Sequence, residues 1–299
     1  MPNTRSERNK KKQKEITNEK IKTKSNFIVR LFLLIVLCIG LLVIYARYTE
    51  TSGLMVNEYK VTSNKIPDAF HGIKVIQFSD IHYGTTVDTN YLNYIVKRIN
   101  ELKPDLVIFT GDLIEENYHI NNNEIKAITN SLSKIKASLG KYACIGDEDV
   151  SNEQYNIIMK NSNFQILDNT ADKIYSSKDA YILINGTSSS IKGKMDATKA
   201  FEKKEENTFT ISFTHENDNT DTLLEYKPDM ILTGHSLGGL IRIPPTIGLI
   251  KQEGNGKFTK RHQVKENTEI FNSYGIGTSQ IRFRFLNKPS INLYRLTKK

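Results

Sequence analysis

Short, almost entirely apolar segments recur along this chain, each with the length of a buried β-strand. In the first half they are residues 74–78, 105–110 and 141–145, and amphipathic stretches with helical periodicity at 88–102 and 122–139 separate them. A strand that is apolar on both faces must be covered on both faces, which is typical of a parallel sheet with helices packed against it. The sequence therefore predicts an α/β protein with a largely parallel sheet.

The second half of the sequence predicts more strands and little helix between them, at residues 181–186, 208–215 and 229–235. Residues 187–207 are rich in Ser and Lys and give no clear prediction, and residues 254–268 are polar and predicted to form a loop. Near the end, 281–285 and 290–296 alternate apolar and polar residues, which predicts a hairpin-like pair of strands. No internal repeat or domain boundary is visible after about residue 70.

An uncharged apolar run precedes all of these segments. Residues 31–46 carry no charge, and Phe27–Val29 extend the run to roughly the 20 residues that cross a bilayer core of about 30 Å. A cleaved signal peptide is the less favoured interpretation, since the preceding basic region is long and no small-residue cleavage site follows. We therefore assign 1–26 to a basic cytoplasmic tail and 27–47 to a transmembrane signal anchor, then 48–69 to a juxtamembrane connector and 70–299 to the main domain.

The positive charge of the chain is concentrated ahead of the apolar run. Residues 1–30 hold ten Lys and Arg against three Glu, which is +7 of the formal +9 and leaves only +2 for the rest. The positive-inside rule then places the N-terminus in the cytoplasm and the main domain outside it. This rule explains the basic tail, so specific nucleic-acid binding is not expected. The sequence predicts a single-pass protein of the cell membrane with an extracytoplasmic domain.

Acidic and histidine residues follow the ends of five predicted strands: Asp80 and His82, Asp112, Asp147 with Glu148 and Asp149, His215, and His235. In open α/β sheets the ligand crevice lies beyond the carboxyl ends of the strands, so these groups are expected to meet at one edge. Mixed carboxylate and imidazole ligands suit Mn, Fe or Zn. Asp112 could bridge two such ions about 3.5–4 Å apart, the arrangement used for phosphoester hydrolysis.

Local spacing supports this prediction. Asp80 and His82 are two residues apart, so their side chains would point to the same side of an extended segment. Gly111, Gly146 and Gly234 adjoin the candidate ligands and are expected to permit a sharp turn at each strand end.

The ordered motifs resemble those of the calcineurin-like metallophosphoesterases. SDIHYG, FTGDLI, YACIGDED, FTHEND and TGHSLGGL are similar to the five blocks of that family. The segments KIPDAFHGIKVIQFSD and GIGTSQIRFRFLNKPSINLYRL resemble its membrane-associated bacterial members, and the resemblance spans about residues 54–297. It implies a four-layer α/β/β/α sandwich preceded by one N-terminal transmembrane helix. It also implies one or two divalent metal ions and a hydrolase acting on phosphoesters.

The resemblance further implies a role for each matched residue. Asp80 and His82 would bind the first metal, Asp112 would bridge both metals, and the second metal would be bound by Asp147, His215 and His235. Glu148 occupies the position of the catalytic histidine and is therefore the candidate catalytic residue. Arg282 is a candidate for binding phosphate.

Three positions depart from the family pattern. Asp147 replaces an asparagine and can still bind a metal, whereas Leu237 replaces a histidine ligand and cannot, so the first metal should bind more weakly. Two divalent ions with Asp80, Asp112 and Asp147 sum to +1, and an ionised Glu148 would reduce this to zero. Glu148 could serve as a general acid if burial raised its pKa.

Two functions remain open at this point. One is a metal-dependent phosphoesterase near the outer face of the membrane, acting on a lipid-linked, wall-derived or nucleotide phosphoester. The other is a catalytically inactive interaction module with the same fold. Convergence of the six candidate ligands within a few Å would favour a metal site. Splayed or Lys/Arg-paired ligands with an exposed Glu148 would favour the module. An unrelated structural membrane protein would require the motifs to be coincidental.

Overall fold

The apolar run near the N-terminus forms part of one long helix in a computed structural model, which describes residues 5–176, 179–243, 248–250 and 252–299. The chain divides into two units, Met1–Arg47 and Tyr48–Lys299. The first contains α1 (Arg5–Ile44), whose side chains are all exposed, and a π-helical turn follows at Tyr45–Thr49. By length and composition α1 could cross a membrane, as the sequence predicts.

The described part of the second unit contains two six-stranded sheets. The first has the order β1 (Met55–Ser63), β12 (Ser290–Lys298), β2 (Lys74–Phe78), β3 (Leu106–Phe109), β4 (Lys141–Ala143) and β5 (Gln165–Ile166). β2 to β5 are parallel neighbours, while β12 runs antiparallel to β2 and parallel to β1.

The second sheet has the order β10 (His262–Lys265), β11 (Thr268–Asn272), β9 (Met230–Thr233), β8 (Thr210–Phe213), β7 (Tyr181–Gly186) and β6 (Thr170–Tyr175). Its four inner strands are parallel, and an antiparallel strand closes each edge. The parallel strands β2, β3, β4, β7, β8 and β9 agree with the continuous apolar runs that predicted them, because both faces of each sheet are covered.

Helices cover the outer face of each sheet: α2 (Thr89–Glu101), α3 (Asn122–Ser133) and α4 (Glu153–Asn161) on the first, α5 (Ala197–Ala200) and α6 (Thr220–Leu224) on the second. Between the sheets lies a core in which Ile108 of β3 and Ile211 of β8 are fully buried. Burying such a side chain stabilises the fold by about 1.5–3 kcal/mol. The predicted four-layer α/β/β/α sandwich is confirmed.

Helix α3 is shorter than the predicted helix 122–139, because it ends at Ser133. Asn100 of α2 explains this end. Its side chain donates to the carbonyl of Lys134 and accepts from the amide of Lys136, at 2.9 Å in each case. These bonds occupy backbone groups that a continued helix would use.

Five of the described strands, β1, β5, β6, β10 and β11, lie where the sequence predicts none. β1 falls within the expected connector 48–69 and pairs with β12 along its whole length. β10 falls within the expected loop 254–268 and forms a hairpin with β11. The turn between them is Glu266-Asn267, with φ of 51° and 67°, which is the left-handed backbone of a two-residue hairpin turn.

The predicted strand at 281–285 is wrong. This segment forms a single bridge, between Phe285 and Ile241, and β12 pairs with β1 and β2 instead. The physical reason is Arg284, which is fully buried and donates to the carbonyls of Tyr274, Gly277 and Asn287 at 2.7–3.2 Å. Those bonds hold the segment as a loop.

Arg284 should therefore be necessary for stability. Arg284→Met leaves three buried carbonyls without their donor, at a cost of about 3 kcal/mol in the free energy of unfolding. Urea unfolding of the full chain in detergent measures this cost. Arg282→Met is the matched control, because Arg282 is exposed and donates only to the Gly84 carbonyl among the described contacts. Equal stability of both variants would contradict this role of Arg284.

Candidate metal centre

The six candidate ligands come together at the carboxyl ends of strands from both sheets. The first sheet supplies the residues that follow β2, β3 and β4, and the second supplies those that follow β8 and β9. They are Asp80, His82, Asp112, Asp147, His215 and His235, and the structure groups them around two neighbouring points. Within each group the ligand atoms lie within 4.8 Å of one another.

The larger group contains Asp112, Asp147, His215 and His235. The Nε2 atom of His215 lies 3.1 Å from Oδ2 of Asp112 and 3.3 Å from Oδ1 of Asp147. Nδ1 of His235 lies 3.2 Å from the same oxygen of Asp147. Two carboxylates and two imidazoles thus face one point, which is a ligand set suited to a transition metal.

The smaller group contains Asp80, His82 and Asp112. Nε2 of His82 lies 3.7 Å from Oδ2 of Asp112 and 4.0 Å from Oδ1 of Asp80. The same oxygen of Asp112 takes part in both groups, so Asp112 occupies the position that a bridging ligand requires.

The backbone at these ligands is in the left-handed region, which aims the side chains into the site. Asp80, His82, Asp112 and His235 have φ of 51°, 44°, 61° and 62°. The explanation that Asp80 and His82 face the same side of an extended segment is therefore wrong, although they do converge. Each such residue costs about 1–3 kcal/mol of local strain, and strain of this kind concentrates at functional sites.

Of the three glycines beside the ligands, Gly146 and Gly234 have ordinary φ values and are needed because neighbouring atoms leave no room for a side chain. Gly111 alone has a positive φ, of 92°. A Cβ added at Gly234 would lie 3.0 Å from the carbonyl oxygen of Thr110 and 3.1 Å from Oδ2 of Asp80. A side chain at Gly234 would therefore crowd the site.

The hydrogen bonds of the histidines fix which ring nitrogen faces the site. Nδ1 of His215 lies 2.7 Å from the Thr110 carbonyl, and Nε2 of His235 contacts the Glu253 carbonyl. A carbonyl accepts only, so these nitrogens carry the protons. The lone pairs of His215 Nε2 and His235 Nδ1 then face each other at 3.1 Å. Facing lone pairs beside two carboxylates favour a positive charge at this point, which either a proton or a metal ion can supply.

The pKa values point the same way. Burial opposes protonation of His215, but the Asp112 and Asp147 carboxylates outweigh burial and raise its pKa well above the ordinary value. Burial likewise opposes ionisation of Asp147, but close contacts with His215 and His235 lower its pKa. Positive charge is thus stabilised at this point of the molecule, as metal binding requires.

Unpaired buried atoms provide a further test of whether these residues fit metal ions. Oδ1 of Asp80, Nε2 of His82 and Oδ1 of Asp147 are buried and form no hydrogen bond in the described structure. Leaving such atoms unsatisfied costs about 1–3 kcal/mol each. All three point into the two ligand groups, so a divalent cation fits the donors present.

Glu115 is a functional candidate that the sequence reasoning missed. Its Oε2 lies 3.0 Å from Nδ1 of His82, and Oε2 of Glu148 lies 3.1 Å from the same atom. A carboxylate on the far nitrogen of a ligating histidine fixes the tautomer and orients the ring. A recognisable signal was its place three residues after Asp112 in the loop that follows β3.

Glu148 is partly enclosed, with 10% of its side chain exposed. Burial raises its pKa, although the hydrogen bond and charge of His82 act in the opposite direction. Its backbone amide donates to Oδ1 of Asp112 at 3.1 Å. The substitution at the catalytic-histidine position therefore leaves a carboxyl group next to the ligands.

Asp149 connects the two loops that carry Asp112 and Asp147. It is buried and accepts from the amides of Asp112, Leu113 and Gly146 at 2.7–3.0 Å. Burial and the neighbouring Asp112 carboxylate raise the pKa of Asp149 to about 7. Its role is to hold these loops, since all its described partners are backbone amides.

Leu237 lies beside the smaller group and is 1% exposed. A Cβ added at Gly275 would lie 2.8 Å from both Cβ of Asp80 and Cδ2 of Leu237. The leucine therefore occupies space next to a candidate ligand, and the smaller group keeps three protein ligands.

A cavity of about 340 Å³ opens beside the ligands and is lined by Asp112, Asp147, Glu148 and His235, among others. Arg282 does not line this cavity and bonds to the Gly84 carbonyl, so the structure gives no support to its predicted role in phosphate binding. The convergence of the ligands and the low exposure of Glu148 favour a metal site over an inactive interaction module.

Comparisons with known proteins agree with this geometry. An uncharacterized metallophosphoesterase, YkuE of Bacillus subtilis (strain 168), is 28% identical over 255 residues, which cover 84% of this chain and 88% of YkuE. The UDP-2,3-diacylglucosamine pyrophosphatase LpxG of Chlamydia trachomatis serovar D is 23% identical over 313 residues, covering 84% of this chain and 92% of LpxG.

A transmembrane protein with a metallophosphoesterase domain from Danio rerio is 24% identical over 267 residues, covering 84% of this chain but only 59% of that protein. The family described as calcineurin-like phosphoesterase matches residues 73–239, which is more than half of the chain. Together with the two-sheet fold and the ligands at its strand ends, this match shows that the chain belongs to the calcineurin-like phosphoesterase family.

Proposed function

We propose that this protein is a metal-dependent phosphoester hydrolase that α1 anchors in the cell membrane, with its N-terminus in the cytoplasm and its catalytic domain outside. The convergence of six metal-binding side chains from two sheets carries this proposal. The backbone at four of these ligands is strained, and three of their buried atoms form no hydrogen bond in the described structure. An inactive interaction module would gain nothing from these costs.

The residues divide into two sets of metal ligands. Asp112, Asp147, His215 and His235 would hold one divalent ion, and Asp80, His82 and Asp112 would hold a second more weakly. The mixed donors suit Mn, Fe or Zn. Such ions polarise a phosphoryl oxygen and activate water at neutral pH.

The remaining groups of the site would orient ligands and hold a proton. Oε2 of Glu148 and Oε2 of Glu115 both lie close to Nδ1 of His82, where a carboxylate would accept its proton and fix the direction of the ring. Glu148 is the proposed general acid, because burial raises its pKa and its carboxyl group lines the cavity. It would then hold a proton for the leaving oxygen, the role that the family assigns to a histidine.

The substrate class follows from location and relatives. A domain anchored by α1 works at or near the bilayer, which favours a lipid-linked or wall-derived phosphoester over a soluble nucleotide. The related LpxG proteins are named as pyrophosphatases of UDP-2,3-diacylglucosamine, a substrate that carries both a nucleotide and acyl chains. We propose an amphiphilic phosphoester or pyrophosphate as the substrate.

The test is hydrolysis of bis-p-nitrophenyl phosphate by the full chain in detergent, with Mn²⁺, Fe²⁺ or Zn²⁺ added. We expect metal-dependent turnover that a chelator abolishes and fresh metal restores. Intact cells that express the protein should hydrolyse the same membrane-impermeant ester without detergent, because the domain lies outside the cytoplasm.

Each outcome separates one part of the proposal. A folded sample that shows no turnover with any of the three metals would refute the hydrolase. Turnover in detergent but not with intact cells would instead refute the proposed orientation across the membrane. The empty expression strain provides the background rate in both measurements.

A further inference from the structure

The cavity beside the ligands is lined by several carboxylates and by a single Lys or Arg side chain among its described lining residues. The acidic residues are Asp112, Glu116, Asp147, Glu148 and Glu253, and the cation is Lys192. An anionic phosphoester entering this cavity meets repulsion from any carboxylate that no bound cation neutralises. Lys192 is thus the protein group best suited to attract it.

The loop that carries Lys192 is built to place it there. This loop follows β7, next to β8 in the second sheet, and β8 leads to the ligand His215. Ser189 in the loop donates to the carboxylate of Glu216, which is fully buried and directly follows His215. The amides of Ile191 and Lys192 in turn donate to the Ser189 hydroxyl at 3.2 and 3.3 Å.

Glu216, which holds Ser189, is itself held in place by other hydrogen bonds. Asn219 donates to Glu216 and to the hydroxyl of Thr214, at 2.9 Å in each case. The loop position is therefore tied to the same segment that positions His215. A lysine on a freely mobile surface loop would not have this connection.

The position of the ammonium group fits a phosphate placed at the ligands. Nζ of Lys192 lies 2.5 Å from Oε1 of Glu116 and 3.9 Å from Oδ2 of Asp147. The side chain is 34% exposed, and Glu116, which pairs with it, is 50% exposed. An incoming phosphoryl oxygen can replace the Glu116 carboxylate as the partner of Lys192. Glu116 then turns to solvent, which costs little because it is already half exposed.

We propose that Lys192 binds a non-bridging oxygen of the phosphoryl group. Its ammonium group would supply the positive charge that a histidine carries in other family members at the position of Glu148. This inference rests on the proposed function, since it assigns a substrate-binding residue to that site. Lysine binds phosphate as a point charge, and such charge-assisted hydrogen bonds are among the strong ones.

The experiment measures binding of inorganic phosphate, the simplest product, to the full chain in detergent with Mn²⁺ present. Isothermal titration calorimetry compares the unmodified protein with Lys192→Met, Lys192→Arg and the control Lys194→Met. Lys194 is two residues away and does not line the cavity. We expect Lys192→Met to raise the dissociation constant at least about tenfold, through loss of a charged hydrogen bond. Lys192→Arg should restore most of the affinity, and Lys194→Met should change it less than about twofold.

Ser189→Ala adds a test of the loop, because it removes the bond to Glu216 while keeping the lysine. It should weaken phosphate binding, as Lys192→Met does, and change Mn²⁺ binding much less, because Asn219 still holds Glu216 beside His215. Unchanged phosphate affinity in Lys192→Met would overturn the inference. So would equal losses in Lys192→Met and Lys194→Met, or an unmodified protein that binds no phosphate.

Hydrolysis measured on the same samples separates this inference from the proposed function. If phosphate binding depends on Lys192 but no ester is hydrolysed, the binding role stands and the hydrolase proposal fails. If hydrolysis occurs and Lys192→Met leaves both phosphate affinity and KM unchanged, the hydrolase proposal stands and the role of Lys192 fails.

Discussion

Asp112→Asn should strongly weaken metal binding and slow hydrolysis, because Asp112 is the one described carboxylate that belongs to both ligand groups. Its Oδ2 lies 3.1 Å from Nε2 of His215 and 3.7 Å from Nε2 of His82. The Asn side chain removes one negative charge from each group. The Glu148 amide already donates to Oδ1, so the new NH₂ group would occupy the Oδ2 position, where it donates rather than accepts.

We expect kcat/KM to fall by about 10³-fold or more, which corresponds to roughly 4 kcal/mol of transition-state stabilisation. Metal content by mass spectrometry after dialysis should fall with it. Asp105→Asn is the matched control at the opposite end of β3, where the carboxylate accepts from the Lys74 amide and lies away from the ligands. A variant at Asp112 that kept its metal and came within about tenfold of the original rate would show that Asp112 is not a shared ligand.

The fold could be predicted from the sequence where strands are covered on both faces. β2 and β7 have the predicted bounds, because Val75–Phe78 and Ile182–Gly186 are buried without interruption. β1 and β10 are not predicted because they are edge strands whose side chains are mostly exposed or only partly buried. A run of polar residues such as His262–Lys265 becomes a strand only when a partner, here β11, is present to pair with it.

The candidate site was predictable to the extent that it depends on strand ends. Each of the six proposed ligands follows a strand, and strand ends meet at one edge in this topology. Lys192 was not predictable in this way, because its position depends on contacts between loops, such as the bond from Ser189 to the buried Glu216, and a linear pattern does not record such contacts. Glu115 follows β3, as one of the proposed ligands does, but its closeness to His82 joins two loops that are distant in sequence.

Leu237→His should create a stronger second metal site, the reverse of a loss-of-function change. The smaller group offers Asp80, His82 and Asp112, and Leu237 lies next to Asp80 at the position where the family has a histidine. Leu237 has a φ of 45°, a backbone conformation that histidine adopts more readily than leucine does. The substitution should therefore add a ligand without a large loss of stability.

The expected result is a change from one tightly bound and one weakly bound ion per chain to two tightly bound ions. Mutating a residue that only supports a ligand typically changes metal affinity about 10–100-fold, and a direct ligand should exceed this range. Calorimetric titration with Mn²⁺ or Zn²⁺ measures both constants in the original chain and the variant.

Leu240→His is the matched control, since Leu240 also lines the cavity, is 3% exposed and has a φ of 52°. A histidine there lies outside the family's ligand position and should leave the weaker constant unchanged. Two equal tight sites in the original chain would contradict the weakness assigned to the smaller group. If Leu237→His and Leu240→His gave the same affinity, the leucine at 237 would not be the missing ligand position. If only Leu237→His tightens binding, the weakness of this site is due to one side chain in an otherwise intact centre.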